Sequence, residues 1–67
     1  MANQRNELIR QLMKLAAESG KAIPENEAIA RINDKFYNEV FSGSLPPASE
    51  ATEAQIKQVL AEWLDAH

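Results

Sequence analysis

The 67-residue chain contains no cysteine, two glycines, three prolines and a single histidine at its last position. The lack of cysteine excludes disulfide bridges and thiolate metal sites. One terminal histidine cannot assemble a nucleophile-base pair or a ligand cluster, so we expect no enzymatic activity, metal or cofactor. No apolar run reaches the roughly 18 residues that would span a membrane, and the first residues lack the apolar segment of a signal peptide. We therefore expect a cytoplasmic protein.

The apolar side chains available for a core are few. Apolar residues make up 45% of the chain, but 11 of these 30 are alanine, which leaves 19 larger side chains. A chain of this size buries only about 60% of its extended surface on folding, so a buried active-site cavity would be costly. Charged residues make up 25% of the chain and the net charge is −3. This composition is typical of a small, acidic, globular protein.

Apolar residues recur with helical spacing in three stretches, which the glycines at positions 20 and 43 separate. This pattern, without strand-type alternation, predicts an all-α fold. We expect a compact three-helix bundle with helices at about 4–19, 24–42 and 52–66, in a single domain over 1–67. An extended connection that contains two prolines would occupy 43–51. The third helix would start at the capping box of Thr52 and Gln55 or, alternatively, at Ser49.

The second stretch carries the widest apolar surface. Its large side chains cover an arc of about 180° on a helical wheel; they are Ile29, Ile32, Phe36, Tyr37, Val40 and Phe41. No breaker interrupts the pattern from Ala28 to Phe41, so we predict one continuous central helix. Core packing is the default interpretation for both rings. The alternative is that two short alanine-rich neighbours are too small to cover this arc, which would leave Tyr37 and Phe41 at an exposed edge as the anchor of an interface.

Asn33 falls near the middle of that arc, between Val40 and Tyr37 on the wheel. A buried amide is costly unless it is hydrogen-bonded. One interpretation is that Asn33 fixes register or oligomeric state by pairing with its symmetry mate or with a partner. The alternative is an amide that is satisfied by a local backbone carbonyl or that lies at a hydrated edge.

These patterns divide the candidate residues into two groups. The large side chains expected in the core include Leu12, Ile32, Phe36, Val40 and Leu60. The residues expected to bind a partner are Asn33, Tyr37 and Phe41, with Leu45 and Trp63 as neighbouring candidates. Leu45 belongs to the proline-containing connection, and Trp63 is also expected to be the main apolar anchor of the third helix.

We therefore predict a small acidic interaction module, such as an adaptor, regulator or inhibitor, that binds a protein partner or itself through the flank of the central helix. A homodimer would enlarge a thin core. The alternative is a helix-turn-helix DNA-binding regulator, whose cations would be Arg31 and Lys35 in the groove and Arg5, Arg10 and Lys14 on phosphates. Charge argues against this alternative, because residues 1–21 carry +2 but 22–43 carry −2 and 44–67 carry −3. We expect neither a membrane partner nor a small-molecule substrate.

Overall fold

The computed structural model of the protein describes residues 4–44 and 50–66. Four helices occupy these ranges: α1 (Gln4–Glu18), α2 (Glu25–Lys35), α3 (Tyr37–Ser42) and α4 (Glu50–Ala66), and neither range contains a strand. The all-α prediction is therefore confirmed. The radius of gyration of 11.1 Å is close to the value of about 11 Å expected of a compact chain of this length. Within the described ranges, no helix combines the length and apolar character needed to cross a bilayer.

Both glycines follow the end of a helix and adopt the left-handed conformation. Gly20 has a φ of +94° after α1, and the N–H of Lys21 beyond it donates to the carbonyl of Ala16 at 3.2 Å. Such a bond satisfies a carbonyl that the helix end would otherwise leave unpaired. Gly43 ends α3 with a φ of +76°. Left-handed backbone is strained for residues with a Cβ, which explains glycine at these two positions.

The predicted continuous central helix is wrong, because the chain is divided at Phe36 into α2 and α3. Phe36 has a φ of −109° and a ψ of 35°, outside the helical region. Its N–H still donates to Ile32 at 3.0 Å, and its carbonyl accepts from Val40 at 2.7 Å. No glycine or proline marks the break. Phe36 is only 3% exposed, and the two residues that follow it, Tyr37 and Asn38, also have modest helix propensity.

α4 begins at Glu50, two residues before the predicted start at Thr52. Thr52 therefore lies inside the first turn rather than at the cap, and its side chain is buried. The alternative start at Ser49 and most of the proline-containing connection, 45–49, lie outside the described residues.

One apolar core joins α1, α2 and α4. α1 packs against both α2 and α4, and α2 also contacts α4 and α3. The buried apolar residues of the described ranges are Leu8, Ile9, Leu12, Ala16, Ile23, Ala28, Ile32, Phe36, Ile56, Val59, Leu60 and Trp63. The core predictions for Leu12, Ile32, Phe36 and Leu60 are confirmed, whereas Val40 is half-buried and packs against the core from its edge.

Candidate functional site

Tyr37 and Phe41 project from α3 as a stacked pair of exposed rings. Tyr37 is 65% exposed and Phe41 is 84% exposed, and they are the large hydrophobic side chains of the described ranges that stay in solvent. Their ring centroids lie 6.3 Å apart at an interplanar angle of 22°. Residues four apart are neighbours on a helix surface, which explains the stacking. Of the two sequence interpretations, the structure shows the exposed edge; we call these two residues the aromatic pair.

The exposure of the aromatic pair follows from where the buried row of α2 and α3 lies. Ala28, Ile32 and Phe36 are buried at four-residue intervals, and Val40 continues this row at the edge of the core. The face of α2 that packs against the core is therefore centred nearer to Ala28 than to the middle of the arc of large side chains. A count of large residues misses this shift, because it leaves out Ala28, which is fully buried.

Asn33 is half-buried and bonds to a side chain of another helix. Its Oδ1 accepts a hydrogen bond of 2.9 Å from Nε of Arg5, in the first turns of α1. This partner was not anticipated from the sequence, and pairing of Asn33 with a symmetry mate or another protein stays a prediction. A hydrogen bond with a charged donor is among the stronger side-chain bonds, so this one ties the start of α1 to α2.

An open groove of about 240 Å³ lies between α1 and α2. Its apolar wall is formed by Ile9, Met13 and Ile29, and its polar rim carries Asn6, Arg10 and Glu25. We call it the α1–α2 groove. The sequence analysis missed it, because a groove depends on how two helices pair. The one available signal was that Met13 lies at the edge of the apolar stripe of its helix.

Trp63 was predicted to bind a partner. The structure instead buries it in the core, which corrects that prediction. Its side chain is 2% exposed, and its indole N–H donates to Glu27 Oε1 of α2 at 3.1 Å. Nζ of Lys21 lies 5.5 Å from the centre of the ring. Trp63 thus anchors α4 to the turn after α1 and to the start of α2. Leu45, the other neighbouring candidate, lies outside the described residues.

The cations that the helix-turn-helix alternative requires differ in their exposure to solvent. Arg10, Lys14 and Lys35 are exposed, whereas Arg31 is half-buried. Arg5 is also half-buried and is committed to Asn33. Within the described part of the chain, no cluster of three or more acidic, histidine or cysteine side chains is placed to hold a metal ion.

The aromatic pair and the α1–α2 groove offer apolar contact surface with polar groups at its edge. Removing exposed apolar surface of this kind from water is favourable in free energy. Comparisons with family models, with curated proteins and with solved structures found no match to this chain.

Proposed function

We propose that this chain is a small, acidic, non-catalytic interaction module, a three-helix bundle in which α3 is a short extension of the second helix. It would bind a protein partner or a second copy through the flank that carries Asn33, Tyr37 and Phe41. The exposure of the aromatic pair is the observation that carries the proposal. Two stacked, solvent-exposed rings form a contiguous apolar patch, and the largest such patch on a protein is often a functional surface.

The area of the aromatic pair indicates what kind of binding it supports. At the exposed fractions of Tyr37 and Phe41, the two rings present about 300 Å² to solvent. Covering that surface fully is worth about 7 kcal/mol. Association itself costs a comparable amount of free energy, about 4–15 kcal/mol. The aromatic pair is therefore the anchor of an interface that needs neighbouring contacts as well, and the α1–α2 groove is available to supply them.

A photoreactive side chain in place of Phe41 tests this function. Phe41→benzoylphenylalanine keeps an aromatic group at the position and forms a covalent adduct with whatever lies against it. The variant is expressed in the cell that produces the chain and illuminated, and adducts are separated by mass and identified. We expect one or a few discrete adducts, because an interface places specific atoms against residue 41.

The matched control carries the same photoreactive residue at Ala61, which is exposed on α4. We expect no discrete adduct at that position. Equal labelling from both positions, or no adduct from position 41, would contradict the proposed function. An adduct with another protein and an adduct with a second copy both support it, and the mass of the product distinguishes them.

A further inference from the structure

We infer that the aromatic pair is a binding site for arginine, and that its partner is a basic segment of another protein. The inference rests on the proposed function and names the chemistry of the partner. An arginine of that segment lays its planar guanidinium on the exposed rings of Tyr37 and Phe41. The acidic part of the chain that carries these rings attracts the remaining positive charge of the segment.

The two exposed rings are surfaces on which a cation binds. A ring face carries partial negative charge and attracts a cation within about 6 Å of its centre. In the described part of the chain, a contact of this kind occurs at the buried ring of Trp63, where Nζ of Lys21 lies 5.5 Å from the ring centre. Tyr37 and Phe41 stack on each other, so each keeps an outer face that its neighbour does not cover. A partner is therefore free to supply the cation.

The polar residues of α3 around the rings supply hydrogen-bond acceptors and no positive charge. Asn38, Ser42 and Ser44, which follows the helix, are exposed, and the hydroxyls of the two serines lie 2.7 Å apart. The last turn of α3 contains no basic residue. A guanidinium has five N–H donors and no acceptor, so these neighbours suit it while its plane covers a ring. An entirely apolar partner would bury the same polar groups without hydrogen bonds, which is costly.

The net charge of the chain also favours a basic partner at this site. Residues 22–43, which contain α2 and α3, carry −2, and residues 44–67 carry −3. The excess of positive charge lies in residues 1–21, which carry +2. A basic segment is therefore attracted to the part of the chain that holds the aromatic pair, whereas a second copy presents the same negative charge there.

The charged side chains nearest to the rings in sequence have the same net sign. Asp34 lies three residues before Tyr37 and is exposed, and Glu39 lies between the two rings in sequence and is half-buried. Lys35 is the one cation from 33 to 44. The two carboxylates outnumber it, so an incoming guanidinium meets net negative charge. Because these groups are close to solvent, their attraction weakens as salt is added.

Exposed rings favour arginine over lysine. A guanidinium is planar and weakly hydrated and stacks on aromatic faces, whereas an ammonium is a compact and strongly hydrated charge. The alkyl stem of arginine also covers apolar surface while its charged end stays in water. At equal charge, the aromatic pair should therefore bind arginine more tightly than lysine. This difference separates a specific site from general attraction between opposite charges.

Binding of short synthetic peptides to the purified full chain tests the inference. The probe peptide repeats the unit Arg-Ala-Ser and carries a fluorescent label, and its anisotropy reports binding at low salt. Matched peptides carry lysine, citrulline or leucine in place of arginine; citrulline keeps the shape of arginine without its charge. We expect the arginine peptide to bind at least about threefold more tightly than the lysine peptide. The citrulline and leucine peptides should bind at least about tenfold more weakly than the arginine peptide.

Substitutions in α3 show where the peptide binds. Phe41→Leu keeps an apolar side chain but removes the ring, and it should weaken the arginine peptide at least about threefold. Combining Tyr37→Ala with Phe41→Ala should weaken it at least about tenfold. Gln58→Ala, at an exposed position on α4, should leave the affinity unchanged. Circular dichroism of each variant checks that the helices are retained.

Each outcome decides for or against the arginine site. Equal affinity of the arginine and lysine peptides, or an affinity that the α3 substitutions leave unchanged, overturns it. Tighter binding of the leucine peptide overturns it in favour of an apolar partner, and no binding of any peptide overturns it as well. The proposed function fails separately: if the photoreactive variant at Phe41 captures a second copy or a protein without a basic segment, that function stands without the arginine site.

Discussion

Arg5 Nε donates a hydrogen bond of 2.9 Å to Oδ1 of Asn33, 28 residues away in the sequence. The bond crosses from the first turn of α1 to the last turn of α2. It gives a polar residue in the middle of an apolar arc a charged partner from the neighbouring helix. The same bond fixes how the two helices that form the groove are aligned.

Removing Arg5 should therefore destabilise the fold. We expect Arg5→Ala to lower the free energy of unfolding by about 1–2 kcal/mol, because a half-buried amide loses a charged hydrogen-bond donor. Urea unfolding followed by circular dichroism measures the change. Lys14→Ala, on the exposed face of the same helix, should change it by less than about 0.5 kcal/mol. Equal effects of the two substitutions would show that the Arg5–Asn33 bond does not stabilise the fold.

Buried and exposed aromatic residues near the helix break should differ in how much they stabilise the fold. Phe36→Ala empties a buried site and should cost about 3–5 kcal/mol. Phe41→Ala and Tyr37→Ala remove exposed rings and should each cost no more than about 0.5 kcal/mol, chiefly from lost stacking within α3. Thermal unfolding at low protein concentration provides the comparison. A large loss of stability for Phe41→Ala would mean that its ring belongs to the core.

Helical periodicity was enough to predict much of this fold. The all-α class follows from apolar spacing, and the buried positions of Leu12, Ile32 and Leu60 follow from the same pattern. The glycines that separate the apolar stretches lie just after the ends of α1 and α3, where a positive φ favours glycine. The break at Phe36 could not be predicted, because no proline or glycine marks it and the helical spacing of apolar residues continues across it.

The candidate site was predicted in part, for equally physical reasons. The sequence left two interpretations open for Tyr37 and Phe41, and the exposed edge rested on an apolar arc that is wider than two small neighbours can cover. The partner of Asn33 could not be predicted, because Arg5 approaches it only when α1 and α2 are aligned. Trp63 was assigned two roles from its size, and its burial against α2 leaves only the structural one.

The contact between Trp63 and Glu27 should matter for stability through the indole N–H. Glu27→Ala leaves a buried donor without this acceptor and should cost about 1–3 kcal/mol, whereas Glu27→Gln retains an amide oxygen and should cost less. Trp63 is the single tryptophan of the chain, so its fluorescence follows unfolding directly. The control is Glu25→Ala, at an exposed position two residues earlier on the same helix. If the unfolding midpoints of the Glu27→Ala and Glu25→Ala variants were the same, this role of Glu27 would be contradicted.

Gly43 should resist substitution because of its backbone and not its surroundings. A Cβ at this position would meet no atom within 4 Å, but the φ of +76° is strained for other residues. Gly43→Ala should therefore cost about 1–2 kcal/mol, and Gly43→Asn should cost less because asparagine tolerates this conformation better. Thermal unfolding of the two variants gives the order. Equal stability of Gly43→Ala and the natural chain would show that α3 ends in another way.

The most direct test of the proposed association surface is a titration of the purified chain with the Arg-Ala-Ser peptide, followed in amide nuclear magnetic resonance spectra. As the peptide is added, we expect shifts at Tyr37 and Phe41 and at the exposed neighbours Asn38 and Ser42. Exposed positions of α4 such as Gln58 should keep their frequencies. Shifts that cluster on α4, or spectra that the peptide does not change, would contradict binding of a basic partner through the aromatic pair.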